Sequence, residues 1–571
     1  SKSNIALAKQ PNLNSEHIRW QNMTKQTTEI KDIANIDPHL DYQVVIIGAG
    51  LSGIYQIKRL ADLGVRATVL DANDDLGGTW YNNRYPGARF DSESYTYGYS
   101  FSQEVLDEWD WTEKHSPQPE TLAYLNYVAD KFELRKYMQF GCRVDSMVFN
   151  EETNTWMLRL SDGHEITTRF IVTAVGTLST PTLPKIEGIA DFRGMSFHAS
   201  DWPHEPLDLA DKRVAVVGSG ATAIQLIPEV AKVAKQLTVF QRRPNWAAPL
   251  NNAPISETEM AEIRERYDEI FATCARSPGG FEHEPDSRSF YDVSPAQRRE
   301  LWDRLYDEPG FGIWLQNFYE IFVDEKANAE ISNYIAERIR QRVNDPMLAE
   351  RLIPKDHGFG VQRLPLETDY FETYNRANVE LVDAVETPIV RVTPQGMETS
   401  DRSFEFDVIV YATGFDSFTG ALDQIDIQGS GGERLRNKWA AGPVTYLGLM
   451  IGEFPNLLML MGPQTAAANF PRAAEMSVNW VTPFLQHMWA QGHQRFDVDE
   501  TSEAEWVEHV KAMYKGALLR KAKSFFTGYN SNIEGHEYGK TRYNIYNGGV
   551  PRYANIVNEV ADNGYAGVNF Q

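Results

Sequence analysis

VVIIGAGLSGIYQIKRLADLGVRATVLDA, residues 44–72, decides the fold of this chain. A β-branched run leads into a glycine-rich turn, a helical stretch follows, and a second β-branched run ends at Asp71. This order of elements predicts a βαβ unit of the kind that binds dinucleotides. A second stretch with the same order, VAVVGSGATAIQLIPEVAKVAKQLTVFQRR, occupies residues 214–243. The sequence therefore predicts an α/β fold with two Rossmann-like dinucleotide-binding domains.

The first glycine turn matches the pattern GxGxxG. Glycines at its fixed positions allow a tight turn, close approach of the backbone to a pyrophosphate, and close packing of the helix on the strand. The helix N-terminus then offers free N–H groups to the phosphates. A carboxylate at the end of the second strand can accept hydrogen bonds from ribose hydroxyls. The residues predicted to hold this nucleotide are Gly48, Gly50, Ser52, Gly53 and Asp71.

The second glycine turn ends in alanine, which is an accepted variant of the pattern. Two arginines follow its second strand, where a fold that selects NAD would carry an acidic residue. Guanidinium groups at this position favour the 2′-phosphate of NADP, although two solvated arginines at a strand end are the plainer alternative. The residues predicted to hold the second nucleotide are Gly218, Gly220, Ala221, Thr222, Arg242 and Arg243.

Two dinucleotide sites in one chain suggest a flavin in the first and a nicotinamide in the second, and hence a flavoprotein oxidoreductase with FAD and NADPH as cofactors. Between them lies a charged, helical stretch in which Ser256 with Glu259, and Ser294 with Gln297, predict helix starts. The predicted organisation is an N-terminal extension (1–39), an FAD-binding domain in two parts (40–180 and 409–571, the second with a C-terminal loop for substrate and cofactor), and an NADPH-binding domain (181–408) with a helical insertion at about 250–355.

Composition narrows the choice of partners. The chain of 571 residues carries 55 Lys and Arg against 79 Asp and Glu, a net charge of −24, which disfavours nucleic acid and anionic lipid. Cys142 and Cys274 are its only cysteines and form no CxxC, so no disulfide framework, zinc cluster or dithiol centre is expected. Without a run of 18 apolar residues or a secretory signal, we expect a cytoplasmic protein that binds neither membrane nor metal.

The connection between the two nucleotide units contains FRGMSFHASDWP, residues 192–203. Its spacing, FxGxxxHxxxWP, resembles the fingerprint of the Type I Baeyer–Villiger monooxygenases, FAD enzymes that use NADPH and O2 to convert ketones into esters or lactones. Disulfide reductases share the two-domain layout but need the missing dithiol. The resemblance covers residues 40–571 and implies a conformational role at this joint for Phe192, Gly194, His198, Trp202 and Pro203.

The same resemblance places further residues beside the flavin. GGTWYNNRYPGARFD, residues 77–91, is similar to the family's flavin-side loop. GFGVQRLPLETDYFETYN, residues 358–375, has Arg363 at the position of the active-site arginine, and Asp91 would hold that arginine by a charge-assisted hydrogen bond. The resemblance implies that the flavin is also contacted by Gly78, Thr79, Trp80, Tyr97 and Val144.

The family's chemistry is implied in the same way. NADPH reduces the flavin, reduced flavin and O2 give a C4a-peroxyflavin, and this species attacks the ketone through a Criegee intermediate that the positive charge of Arg363 stabilises. An N- or S-oxygenating flavin monooxygenase is the alternative, which Trp202, Pro203 and Arg363 disfavour. A non-catalytic flavin or NADPH sensor is a more distant alternative, because both nucleotide sites and the Arg363–Asp91 pair are complete.

Three positions depart from the family pattern. Gln362 stands where lysine is common and is assigned to the NADP site, and Arg243 stands where threonine is more usual and would supply the missing charge. Phe525 stands where many members have a cofactor-contacting tryptophan. Residues 531–553 resemble the branch of the family that acts on bulky or polycyclic ketones. The predicted substrate pocket comprises Ala468, Asn469 and Phe470.

Overall fold

The computed structural model describes residues 34, 35 and 37–571, so most of the predicted extension, residues 1–39, lies outside the described residues. The strands in the described part of the chain are β1 Tyr42–Ile47, β2 Ala67–Leu70, β3 Met138–Gln139, β4 Val144–Asn150, β5 Thr155–Leu160, β6 Glu165–Thr173, β7 Met195–His198, β8 Arg213–Val217, β9 Gln236–Gln241, β10 Ala248–Pro249, β11 Leu366–Glu367, β12 Val379–Asp383, β13 Ile389–Thr393, β14 Gly396–Thr399, β15 Ser403–Glu405, β16 Val408–Tyr411, β17 Asp426–Gln428, β18 Leu457–Met459, β19 Phe496–Val498 and β20 Val568–Phe570.

Helices pack on one face of each large sheet, and the opposite face of the second sheet packs against strands β13, β14 and β15. The α-helices of the same described part are Leu51–Asp62, Thr79–Asn82, Ser94–Tyr97, Gln103–Glu108, Gln118–Lys131, Ala221–Val233, Glu257–Glu265, Tyr267–Arg276, Pro295–Asp307, Gly312–Leu315, Glu325–Arg342, Pro346–Leu352, Tyr370–Thr373, Gly420–Asp423, Leu435–Lys438, Phe470–Gln491, Glu500–Ala512 and Val550–Asp562. Short 3-10 helices lie at Leu134–Tyr137, Ala199–Asp201, Phe290–Asp292, Tyr319–Phe322, Ser430–Gly432, Leu518–Lys521 and Phe525–Thr527. None of the helices among the described residues is long and apolar enough to cross a bilayer.

The first large sheet is built around the first glycine turn. Its parallel strands run in the order β3, β2, β1, β6, β18. The long strand β6 pairs with β1 on one side, and on the other with β5 near its start and β18 near its end, while β4 and β5 extend the sheet antiparallel. Val44, Val45 and Ile46 of β1 are fully buried. Val44 and Ile46 lie in a core with helical residues, whereas Val45 on the opposite face lies in a core with residues of β4 and β5. The predicted βαβ unit is therefore present, as β1, the helix Leu51–Asp62 and β2.

The second large sheet is parallel throughout, in the order β12, β9, β8, β16, β7. The second glycine turn joins β8 to the helix Ala221–Val233, as predicted. The predicted fold class is thus confirmed. The predicted boundary after residue 408 cuts strand Val408–Tyr411, which pairs with β7 and β8, and we propose that the second nucleotide domain extends to Tyr411.

The helices between β10 and β11 form the insertion, but they do not pack as one body. Helices Glu257–Glu265 and Tyr267–Arg276 bury Met260 and Tyr267 in the core that also contains the first sheet. The later helices, from Pro295 to Leu352, share the core of the second sheet. The insertion of the second domain thus also contributes apolar residues of its first two helices to the core of the first domain. Both predicted capping boxes are present.

The chain crosses twice between the two large sheets, from β6 to β7 and from β16 back to β17. The segment after β6 and the segment after β16 run side by side, and the Thr182 N–H donates to the carbonyl of Gly414 at 2.9 Å. The Thr413 hydroxyl donates in return to the Thr182 carbonyl at 2.5 Å. A bridge between Pro181 and Phe415 continues this pairing. The two nucleotide units are therefore linked by a paired ribbon at the edge of the cleft between them.

Candidate active site

A large cavity lies between the carboxyl ends of the strands of both sheets, where open α/β sheets bind their ligands. Its volume is about 1280 Å³. Ligand pockets usually enclose roughly 300–1,000 Å³, so this cavity can hold more than one ligand. Its wall combines the first glycine turn, the loop of residues 77–92, both crossings, the insertion and the segment 513–549.

The first glycine turn forms a cradle that fits a dinucleotide. Gly48 has φ +110°, and a Cβ there would collide with the carbonyl oxygen of Ala174. The Asp71 carboxylate accepts the Ala49 N–H at 2.7 Å through Oδ2 and the Asn73 N–H at 2.8 Å through Oδ1. Burial raises the pKa of Asp71, although these two backbone donors oppose the shift. Asp71 therefore shapes the turn in addition to any contact it makes with a ribose.

An aromatic wall faces the same part of the cavity. The Trp80 indole N–H donates to the Tyr97 hydroxyl at 3.1 Å, and the Tyr97 ring stacks on Phe90 with a centroid distance of 4.1 Å. Such a flat, rigid surface suits a planar ring system. Of the residues predicted for the first nucleotide, Gly53 lies behind the turn, and those that line the cavity are Gly48, Gly50, Ser52, Asp71, Gly78, Thr79, Trp80, Tyr97 and Val144.

Arg363 and Asp91 meet inside the cavity although 272 residues separate them. Arg363 Nη1 donates to Asp91 Oδ2 at 2.6 Å and to the carbonyl of Leu364 at 2.8 Å. The Leu366 N–H also donates to Asp91 Oδ2, at 3.2 Å. The side chain of Asp91 is 3% exposed and that of Arg363 is 30% exposed, so the carboxylate is fixed and the guanidinium faces the cavity.

The Phe311 ring lies on another side of the guanidinium, with its centroid 5.5 Å from Arg363 Cζ. A cation over an aromatic face is attracted electrostatically, and here the contact helps to orient the arginine. Phe311 comes from the helical insertion, Asp91 from the first domain and Arg363 from the segment before β11. Three parts of the chain therefore position one positive charge.

The second glycine turn reaches the cavity through the first residues of the helix that follows it. Ala221, Thr222 and the neighbouring Gln362 line the wall, whereas Gly218, Gly220, Arg242 and Arg243 lie outside it. Arg242 is exposed. Arg243 Nε lies 3.1 Å from Asp356 Oδ2, and the Ser219 hydroxyl donates to the Arg243 carbonyl, which ties this arginine to the turn.

The five fingerprint residues form a joint beside the cavity rather than part of its wall. His198 is buried and uses both ring nitrogens, as Nδ1 lies 2.8 Å from the Ser200 hydroxyl and Nε2 lies 3.1 Å from the Gly414 carbonyl. The Trp202 ring meets Phe197 edge-on at 5.1 Å. A Cβ on Gly194 would crowd the Asp407 carbonyl and the ring of Phe192. Pro203 closes the segment and is partly buried.

The predicted substrate pocket also belongs to this cavity. Ala468, Asn469 and Phe470 line it at the start of the helix Phe470–Gln491, and the Asn469 amide donates to the Thr96 hydroxyl at 3.0 Å. Phe525 lines it as well and stacks with Phe418 at a centroid distance of 6.3 Å.

A buried pair beside Asp91 was missed by sequence reasoning. His283 Nε2 lies 2.6 Å from Glu93 Oε1, and His283 Nδ1 lies 3.2 Å from the Gln316 side-chain oxygen. His283 lines the cavity. The only local signal was a carboxylate two residues after Asp91, and nothing near it pointed to a histidine 190 residues away.

Known proteins are similar to this chain over almost its full length. A family model described as flavin-binding monooxygenase-like matches residues 41–253. The 2-oxo-Delta(3)-4,5,5-trimethylcyclopentenylacetyl-CoA monooxygenase of Pseudomonas putida is 41% identical over 538 residues, which cover 93% of this chain and 98% of that protein. A protein of Pseudooceanicola batsensis named Baeyer-Villiger monooxygenase is 36% identical over 528 residues, 92% of this chain and 95% of that protein. This chain belongs to the Baeyer–Villiger monooxygenase family.

The likeness of this Baeyer–Villiger monooxygenase to a solved structure is equally extensive. A crystal structure of OTEMO in complex with FAD and NADP matches it with a TM-score of 0.89 at 40% identity, over 93% of this chain and 100% of that chain. The resemblance inferred from the fingerprint is thereby confirmed. The roles of single residues in this monooxygenase stay predictions, which the geometry above makes specific.

Proposed function

We propose that this Baeyer–Villiger monooxygenase uses FAD, NADPH and O2 to convert ketones into esters or lactones, with Arg363 as its central catalytic residue. The observation that carries this proposal is the Arg363–Asp91 pair, which faces a cavity large enough for cofactors and a ketone. The solved relative with FAD and NADP supports the choice of cofactors. We also propose a cytoplasmic location, because the two cysteines are free thiols.

When bound, the flavin supplies the oxygen-activating chemistry and takes its reducing equivalents from NADPH. The first glycine turn and Asp71 would hold its nucleotide part, and Trp80 and Tyr97 would flank its ring. Arg363 would stabilise negative charge that develops on the carbonyl oxygen of the ketone, because a fixed cation in a secluded site needs no reorganisation. Arginine suits this task since it keeps its proton at working pH.

Asp91 acts in this proposal as a positioning residue. Its carboxylate fixes Arg363 Nη1 and is itself fixed by the Leu366 N–H, so the guanidinium keeps one orientation. Asp91 is nearly fully buried, whereas the side chain of Arg363 is partly exposed. It therefore sets the direction and effective charge of Arg363 and takes no proton from the ketone.

The decisive test is the substitution Arg363→Ala. We expect the variant to retain FAD, seen as a normal yellow spectrum, and to lose ester formation by about 10²–10³-fold, the usual loss for one group that stabilises an oxyanion. Arg363→Lys should recover part of the activity because a cation is restored at lower geometric precision. Arg299→Ala removes an exposed arginine of the insertion and serves as the control with unchanged activity. Normal ester yield from Arg363→Ala would remove this residue from its role.

We further propose that the ketone is bulky. Ala466, Ala467 and Ala468 line the same cavity as Arg363 with short side chains. Measuring ester yield in the same assay for ketones of increasing size, from cyclohexanone to a steroid, gives the preferred size. A preference for the smallest ketone would contradict this part of the proposal.

A further inference from the structure

Arg243 already has an anionic neighbour. Its Nε lies 3.1 Å from Asp356 Oδ2, an ionic contact without hydrogen-bond geometry. Its two terminal nitrogens lie 3.4 Å from the Lys523 carbonyl, and its Cζ lies 5.6 Å from the centroid of the Tyr529 ring. The side chain is only 22% exposed. Two separate segments, around Asp356 and around residues 523–529, therefore enclose one guanidinium, and the carboxylate of Asp356 lies beside its Nε.

The location of this guanidinium matters for the second nucleotide. Arg243 follows the end of β9, and the Ser219 hydroxyl binds its carbonyl, so it is anchored to the second glycine turn. In Rossmann folds the residue at the end of the second strand faces the adenosine ribose, and an arginine there accommodates a 2′-phosphate. The carboxylate of Asp356 thus stands beside the group that is placed to receive that phosphate.

Asp356 is held firmly in this place. Its Oδ1 lies 2.7 Å from His357 Nδ1, and the His357 side chain is only 3% exposed. The His357 carbonyl in turn accepts the Trp246 indole N–H at 3.0 Å. The hydrogen bond from His357, assisted by the charge of Arg243 and opposed by burial, lowers the pKa of Asp356 to about 2. The carboxylate is therefore charged at any working pH.

We propose that Asp356 acts as a built-in competitor of the 2′-phosphate of NADPH for Arg243, and so lowers the affinity of the enzyme for this cofactor. Carboxylate and phosphate bind a guanidinium through the same donors, so the two anions either exchange or repel each other. Given the proposed assignment of the second turn to NADPH, the competitor favours departure of NADP⁺ at the end of each turnover. Cofactor release limits many enzymes, which gives such weakening a use.

Binding of adenosine 2′,5′-bisphosphate and of ADP to the FAD-loaded enzyme, measured by calorimetry, tests the proposal. Asp356→Asn keeps the size of the side chain and its contact with His357 but removes the charge. We expect it to tighten the bisphosphate by about 3- to 10-fold and to leave ADP, which lacks a 2′-phosphate, unchanged. Glu350→Gln is the matched control, since it removes a nearby carboxylate that pairs with Arg340 and Lys355 instead.

A second variant pair isolates the arginine. In an Arg243→Ala background, Asp356→Asn should no longer tighten binding of the bisphosphate, because the guanidinium for which the carboxylate and the phosphate compete is absent. Weaker bisphosphate binding by Asp356→Asn alone would show that the carboxylate supports the arginine, and this would overturn the proposal. Equal tightening of ADP, or the same effect from Glu350→Gln, would reduce it to a general charge effect and overturn it too. Wild-type enzyme that binds both probes equally would instead refute the NADPH assignment itself.

Discussion

Gly218 and Gly220 of the second turn are glycines for different reasons. Gly218 has φ +123°, and a Cβ there would collide with the carbonyl of Ala412, so the fold itself demands glycine. Gly220 has φ −81°, and a Cβ added to it would meet no protein atom within 4 Å. We propose that this space admits a ligand that approaches the backbone closely.

This contrast predicts different outcomes for two alanine substitutions. Gly220→Ala should fold with unchanged thermal stability and unchanged flavin content. Its KM for NADPH should rise about tenfold, because the added methyl group keeps the pyrophosphate from approaching the backbone closely. Gly218→Ala should lower the melting temperature, since strain and overlap affect the protein itself. The KM and the melting temperature of each variant are the measurements. A Gly220→Ala enzyme with normal KM would show that no cofactor phosphate lies there.

Single residues also show how far the sequence could lead. The Arg363–Asp91 pair was predicted from a family pattern, and the structure brings the two side chains to 2.6 Å. Asp356 was not predicted, because its contact with Arg243 joins loops 113 positions apart and no spacing rule connects them. Local patterns identify turns and strand ends, whereas ion pairs between distant loops depend on the finished fold.

At the scale of elements, the helical insertion is attached to the first domain by a buried ion pair. Burial alone would raise the pKa of Glu93, but the charge and hydrogen bond of His283 hold it at about 2. Burial alone would lower the pKa of His283, but the charge of Glu93 raises it above its usual value. Each group is stabilised in its charged form by the other, so the pair joins the loop after Asp91 to the insertion.

The pair should leave a pH signature in stability. Glu93 contributes above its ordinary pKa of 4.5 and loses its contribution as pH falls towards about 2. His283 contributes fully below its ordinary pKa of 6.5 and loses its contribution as pH rises through its raised pKa. The stabilisation is therefore complete between these ordinary values, near pH 5 to 6, and declines in alkaline solution.

His283→Gln tests this expectation. At pH 6 the variant should melt well below the wild type, since removing one partner of a buried pair costs about 3–5 kcal/mol. At pH 9 the difference should shrink, because the wild type also loses the charge on His283. Thermal melts of the FAD-loaded enzyme at both pH values provide the measurement, with His164→Gln, an exposed histidine beside Asp162, as the control. A gap of the same size at both pH values would mean that packing, not charge, holds the insertion.

Elements were predictable to the extent that their signals are local. The capping boxes at Ser256 and Ser294 mark helix starts in the sequence, and both are formed. The division of the insertion between two cores was not predictable, because the same apolar face of Tyr267–Arg276 could cover either domain. Which domain this helix covers depends on the path of the insertion between the two domains, and that path is a property of the whole molecule.

At the scale of the whole molecule, the fingerprint segment, residues 192–203, contacts the ribbon of paired crossing segments that joins the two sheets. His198 Nδ1 accepts the Ser200 N–H at 3.2 Å, so the ring proton is on Nε2 and is donated to the carbonyl of Gly414. Burial lowers the pKa of His198, which keeps the ring neutral and this arrangement intact. Gly414 also accepts the Thr182 N–H, so one carbonyl receives donors from both sides of the joint. This contact therefore ties the end of β7 to the crossing segment that follows β16.

His198→Ala should consequently disturb the reduction of the flavin by NADPH, a step that needs both domains, rather than either nucleotide site alone. Loss of the hydrogen bond to Gly414 loosens the crossing, which the contacts of Thr182 still hold in part, and NADPH then reaches the flavin in productive orientation less often. We expect flavin reduction, followed by stopped-flow absorbance, to slow about tenfold, and a larger share of NADPH to be consumed without ester. His198→Gln should restore part of the coupling, because its amide N–H can still donate to the Gly414 carbonyl. If His198→Ala reduced its flavin at the wild-type rate with full ester yield, the joint would serve folding only, and the fingerprint would owe its pattern to packing around Trp202 and Gly194.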